Sequence, residues 1–265
     1  MLLLRAMVSD LRAARGLAWR LATRDIKAQY RDSILGFLWA FITPVFSAAT
    51  WIVLNATGIV RVADTGIPYP LYVFTGTMLW QVFTEALNSP IGQLQGSRSL
   101  LAKLNFPREA VLLAGIIKSF YSAGIKVLVM FPALFVFGVM PDLHLLLFPL
   151  GLVGLILVGF ALGLLLAPIG MLYGDITRGI PMLLQIGMYT SPVIFAMPTE
   201  GIMRTVFHLN FMTPVMLTVR AWFTGSASPM PLYFVGVLLG ASILLFIGWV
   251  IFRITMPAVI ERMSS

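Results

Sequence analysis

Long stretches of this chain carry no formal charge, and that restricts it to a fold that lives in lipid. Residues 143–174 contain no Asp, Glu, Lys or Arg, and between Asp32 and Arg61 the chain is equally bare. A helix needs about 20 apolar residues to cross the hydrocarbon core of a bilayer, so each interval reads as a span. Composition agrees: of 265 residues, 59% are hydrophobic and 11% are charged. Soluble domains run nearer about half and about a quarter. These figures exclude a cytosolic enzyme, a nucleic-acid-binding domain and a disordered tail. The apolar total allows at most about seven spans.

The charge-free intervals predict six spans, at about 35–59, 69–94, 111–139, 143–174, 179–199 and 230–252. The first apolar run begins near Ile34, too far in and too long for a cleavable signal peptide, so the first span is expected to stay as an anchor. Residues 1–33 form an N-terminal segment, 34–253 the spanning domain and 254–265 a short tail. An even number of spans puts both ends on one side. That side collects 13 basic residues, among them seven before residue 33, against three on the other: Arg61, Arg204 and Arg220. The positive-inside rule then places both termini in the cytoplasm. The net charge of +8 reads as orientation and attraction to anionic lipid rather than as a nucleic-acid footprint.

Gly159-x-x-x-Gly163 and Gly236-x-x-x-Gly240 have the spacing that lets helix backbones approach closely in lipid. Pro44, Pro132, Pro168 and Pro192 predict kinks or breaks, tolerated where neighbours satisfy the freed carbonyls. Residues 11–31 are too charged to span. Arg20, Arg24, Lys27 and Arg31 recur along one helical stripe, and Leu11, Ala14, Leu17, Ala18 and Leu21 cluster on another. With Trp19 and Tyr30 suited to headgroup level, this reads as an amphipathic helix on the cytoplasmic face. It serves either as an anchor that sets orientation or as a basic rim that receives a phosphate-bearing lipid through forked arginine bonds.

Signatures of catalysis are missing. There is no phosphate-binding Gly-x-x-x-x-Gly-Lys-[Ser/Thr]; the nearest string, Gly92–Ser99, lacks the lysine. His144 and His208 are the two histidines and show no metal-ligand pattern, and there is no cysteine. No Gly-x-Ser-x-Gly elbow and no paired carboxylates at catalytic spacing occur. The expectation is a non-enzymatic chain without cofactor or metal. Glu85, Lys118 and Lys126 fall within spans, where a charge costs a few kcal/mol and so marks a functional candidate. They read as a Glu85–lysine pair between spans two and three, as snorkelling, as the lining of a translocation path, or as a proton relay. Trp39, Phe46, Trp51, Tyr69, Tyr72, Phe74 and Trp80 crowd the first two spans. Interfacial packing accounts for most of them; any that line a channel would offer stacking faces for sugar rings.

The run Arg24-Asp25-Ile26-Lys27-Ala28-Gln29-Tyr30-Arg31-Asp32-Ser33-Ile34-Leu35-Gly36-Phe37-Leu38-Trp39, continuing to Pro44, resembles the opening signature of ABC-2 type permease subunits that export polysaccharides such as O-antigen, capsule and teichoic acid. Further matches are Leu104-Asn105-Phe106-Pro107-Arg108-Glu109, Gly174-Asp175-Ile176 (where the family usually shows Arg-Asp-Ile) and Tyr189-Thr190-Ser191-Pro192-Val193-Ile194. Asn210 and Pro214 match the family's Asn-Pro pair with three residues inserted. The resemblance spans about residues 15–260.

It implies an all-α membrane protein of type V exporter architecture, with six transmembrane helices and an N-terminal cytoplasmic interfacial helix. Two copies would form a homodimer in the inner membrane, each with a separate ATPase subunit that binds ATP and Mg. Spans one and five would wall the channel. Loop 97–109 would be the coupling element, with Lys103, Leu104, Asn105, Phe106, Pro107, Arg108 and Glu109 as docking contacts. A Phe beside a Pro in a charged loop suits such a surface. Short helices within 199–229 would close the exit, and apolar Ile202, Val206, Phe207, Leu209 and Phe211 fit re-entrant or interfacial pieces. The cargo would be a polyprenyl-pyrophosphate-linked glycan, its pyrophosphate drawn by Arg20, Arg24, Lys27 and Arg31. Tyr30, Trp39, Phe46, Tyr69, Tyr72 and Lys118 complete the candidate substrate contacts. Rival readings are an exporter of drug or other lipid in the same superfamily, an ion-coupled transporter using Glu85 and Lys118, and a membrane-embedded glycosyl- or acyltransferase.

Overall fold

The computed structural model describes residues 2–31, 38–58, 65–103, 108–140 and 142–264, and every regular element among them is helical. In chain order these are α1 (Leu2–Arg31), α2 (Trp39–Ala56), α3 (Tyr69–Gly96), α4 (Arg98–Lys103), α5 (Glu109–Val136), α6 (Phe148–Leu172), α7 (Gly174–Tyr189), α8 (Gly201–Leu209), α9 (Met212–Phe223) and α10 (Pro231–Ser264). Among the described residues, three stretches are long and apolar enough to cross a membrane: Glu109–Val136, Leu143–Leu172 and Pro231–Val259. The second includes a 3-10 turn, Leu143–Leu147, that leads into α6.

Helix α3 is the hub, packed against α2, α5, α6 and α9. Its closest neighbour is α6, and glycine is the reason. A Cβ at Gly159 would lie 2.6 Å from the Phe83 carbonyl oxygen, and one at Gly163 would fall on the Leu87 carbonyl itself. Bare backbone on α6 thus lets two helices touch main chain to main chain, as its spacing predicts. The second motif behaves differently. Gly236 and Gly240 have nothing within 4 Å of an added Cβ; α10 meets α6 instead through Leu238, which sits over Gly154.

Helix α1 is longer than the expected 11–31. Its face of Ala14, Ala18, Leu21 and Ala22 is buried, while Arg20, Lys27 and Arg31 point outward and Arg24 lies between the two faces. That face packs on α5, and the two helices run in the same sense. Asp10 meets the group that binds Glu109 at the start of α5, while Arg24 lies near Lys118 further along. The tail expected at 254–265 is, as far as Ser264, a continuation of α10.

Span five departs most from expectation. Helix α7 ends at Tyr189, and residues 190–195 form turns. Pro192 has no N–H to continue the ladder and excludes the α conformation from the residue before it. Trp51 of α2 stacks edge-on against Tyr189 and Phe195 at centroid distances of 6.0 and 5.6 Å, covering the break. Pro132 and Pro168, by contrast, lie inside continuous helices. Between this break and α10, α8 buries Phe207 but exposes Ile202 and Leu209, and α9 is largely buried.

Candidate functional site

Three helices turn polar faces toward one another and enclose a cavity of about 430 Å³. Along α3, Glu85, Asn88, Ser89, Gly92, Gln93 and Gly96 recur at helical spacing and form one wall. Lys118, Ser119 and Ser122 of α5 form the second, and Arg24, Asp25 and Gln29 of α1 the third. The stripe on α3 was present in the sequence as a 3–4 residue repeat of small and polar side chains, yet only Glu85 was singled out there.

The charges in this cavity pair off with one exception. Lys126, 3% exposed, donates to both Glu85 oxygens at 2.7 Å and to Ser122 Oγ at 2.8 Å, which satisfies all three ammonium protons. Ser122 in turn donates to Glu85. Arg24 holds Asp25 through Nε and Nη2 at 2.9 and 2.8 Å. Lys118 has no carboxylate within ion-pair distance among the described residues, so the cavity keeps one uncompensated positive charge. Hydroxyls and amides of Asn88, Ser89, Gln93 and Ser119 line the same cavity. Such a lining can hold an anionic group and hydrogen-bond a hydroxyl-rich molecule. Among the described residues no three His, Asp or Glu side chains gather as a metal site requires.

Of the predicted substrate contacts, the structure brings together Arg24 and Lys118. Arg20, Lys27 and Arg31 remain on the outward face of α1. The Tyr30 side chain lies outside what the structure describes. Trp39 and Phe46 are exposed on α2, away from the cavity, Phe46 at 70%. Tyr69 is half-buried at the start of α3 with its hydroxyl unbonded. Tyr72 needs correction as a sugar-stacking residue. It is buried, its ring is covered by Arg220, and its hydroxyl lies 3.2 and 3.1 Å from the Pro192 and Phe195 carbonyl oxygens.

The expected docking loop is described only at its edges. Lys103 ends α4, its side chain outside the described residues, as are Leu104, Asn105, Phe106 and Pro107. Arg108 is half-buried. Glu109 is turned inward: its Oε1 accepts from Arg253 Nη1 at 3.1 Å, and Arg253 Nη2 donates to Asp10 Oδ2 at 2.6 Å. Arg253 thus ties α10 to α1 and α5, and the Glu109 carboxylate, buried in that tie, presents no docking surface.

The ABC-2 type transporter family profile matches residues 17–224. The chain is 27% identical over 221 residues to the O-antigen export system permease protein RfbA of Myxococcus xanthus, covering 82% of this chain and 84% of that one. It is 22% identical over 180 residues to a protein of the same name from Klebsiella pneumoniae, covering 66% and 67% of the two chains. With a profile match that runs from the middle of α1 to the end of α9, the chain belongs to the ABC-2 type transporter family.

Proposed function

We propose that this chain is the permease subunit of an ABC exporter that moves a lipid-linked polysaccharide, O-antigen-like, outward across the inner membrane. In this reading α2, α3, α5, α6, α7 with the segment after it, and α10 are the six spans, and both termini are cytoplasmic. Two copies pair through α2 and α7. Those helices leave Trp39, Phe46 and Val53, and Met182, Leu183 and Ile186, uncovered in the single chain. A separate ATPase subunit carries ATP and Mg and docks on the loop around Phe106.

One observation carries the substrate assignment: among the described residues Lys118 has no carboxylate partner, and it shares with Arg24 a cavity whose two carboxylates, Asp25 and Glu85, are already paired and whose other polar side chains are amides and hydroxyls. That chemistry suits the pyrophosphate and first sugars of a polyprenyl-linked glycan better than an apolar drug. It also disfavours an ion-coupled cycle, because Glu85, the carboxylate such a cycle needs, is held by Lys126. The test is glycan export in cells carrying Lys118→Met, or Arg24→Glu with Lys27→Glu, with co-purification of the ATPase as the assembly control. Loss of one charge-assisted contact is worth about 1.5–3 kcal/mol, so export should fall by at least about tenfold with assembly intact. Export at the parental rate in both variants would reject the site.

A further inference from the structure

The break after α7 frees backbone carbonyls inside the protein, and side chains from elsewhere take them up. Thr190 O accepts from Asn210 Nδ2 at 2.9 Å, and that same amide group lies 2.8 Å from Ser191 Oγ. Asn210 Oδ1 accepts from the Met212 N–H at 2.9 Å, so the residue that receives the break also starts α9. The Tyr72 hydroxyl serves Pro192 and Phe195. Val193 O accepts from Arg220 Nη2 at 3.1 Å. The break is therefore tied at one end of α9 by Asn210 and at the other by Arg220.

Arg220 is the unusual member. It is 4% exposed, its guanidinium carbon stands 3.7 Å above the Tyr72 ring centroid, and no carboxylate lies within ion-pair distance among the described residues. Its Nε and Nη1 are buried without a hydrogen-bond partner. Gly76 makes the seat: a Cβ there would run into both Arg220 Nη2 and the Val193 carbonyl. A buried arginine with no anion and two idle donors is costly, and an apolar side chain would fill the volume with less penalty. What the charge accomplishes is to pin Val193 to Tyr72. The two idle donors also make the pin easy to release, because they gain water as soon as α9 lifts, which offsets the bond and stacking lost.

We propose that Arg220 is a positioning residue that latches α9 onto the span-five break, with Tyr72 and Gly76 as its seat, so that the outer helices α8 and α9 are held shut by a contact poised to open. The inference rests on these contacts and on the proposed topology, in which α8 and α9 lie on the outer side, and holds whatever the cargo. The chain has no cysteine, so a single thiol reports cleanly. Val193→Cys places one at a fully buried position in the break, and Ala161→Cys places a control at an equally buried position in α6. The purified full-length protein is exposed to a polar maleimide and labelling rates are compared. Adding Arg220→Met should speed labelling at 193 by about tenfold, as expected for loss of one hydrogen bond to a charged group, and leave labelling at 161 unchanged. Tyr72→Phe, which keeps the ring and removes only the hydroxyl, should act in the same direction. Equal acceleration at both thiols would mean that Arg220 merely stabilises the fold; no acceleration at 193 would mean that it holds nothing shut. Either result overturns the latch. Should Arg220→Met fail to fold, Tyr72→Phe decides by the same two criteria.

Discussion

The Glu85–Lys126 pair is lopsided, and that asymmetry can be tested. Lys126 is 3% exposed and Glu85 46%, with the carboxylate facing the polar cavity. Replacing Glu85 by Gln leaves a buried ammonium facing an amide and one hydroxyl. Breaking a buried pair this way costs about 3–5 kcal/mol, reduced somewhat here because water in the cavity can approach. Replacing Lys126 by Met leaves a carboxylate that is already half hydrated, and fills the vacated volume with an unbranched apolar chain. Its cost should be nearer about 1 kcal/mol, the scale of partly exposed pairs. The double variant has no stranded charge and should recover about 2–3 kcal/mol relative to Glu85→Gln alone. Equilibrium unfolding in mixed micelles, followed by tryptophan fluorescence, closes this cycle. The reasoning fails if Lys126→Met is as damaging as Glu85→Gln, or if the double variant is no more stable than Glu85→Gln.

Two further outcomes follow from the packing and the loop. Gly163→Ala should lose about 1–3 kcal/mol in the same unfolding assay, since its Cβ meets the Leu87 carbonyl and main chain cannot step aside. Gly240→Ala, which meets nothing, should be neutral or slightly stabilising through helix propensity of up to about 1 kcal/mol. Phe106→Asp should abolish stimulation of the ATPase subunit by the permease while leaving the permease in the membrane; unchanged stimulation in a reconstituted complex would remove Phe106 from the docking contact.

What the sequence disclosed and what it withheld divide along the range of the interactions involved. Burial of charge in lipid is penalised residue by residue, so the bare interval 143–174 and the apolar run after 230 could be read directly, and both are long helices. The two faces of α1 follow from spacing within one helix. A Glu85–lysine pair between spans two and three was also legible, but choosing Lys126 over Lys118 depends on the register of α3 against α5. The break at 190–195 was beyond reach, because the apolar run passes through it and Pro192 alone does not distinguish a kink from a stop. The groups that make a stop tolerable, Tyr72 and Arg220, lie 120 and 27 residues from their acceptors. Glu109 misled for the same reason: its neighbours in sequence form a charged loop, while its partner is 144 residues away. The polar stripe on α3 was within reach, since it repeats at helical spacing.

The clasp of Asp10, Glu109 and Arg253 also bears on how the protein is made. Asp10 leaves the ribosome 243 residues ahead of its partner Arg253. At a synthesis rate of about 5–20 residues per second, α1 waits roughly 12–50 s before that bond can form. Its buried alanine face can settle on α5 well before then, but the end that carries Asp10 stays untied until α10 has been delivered. Fastening of that end of α1 is therefore a late event in biogenesis, and a chain truncated before Arg253 would keep the packing of α1 on α5 but lack this tie.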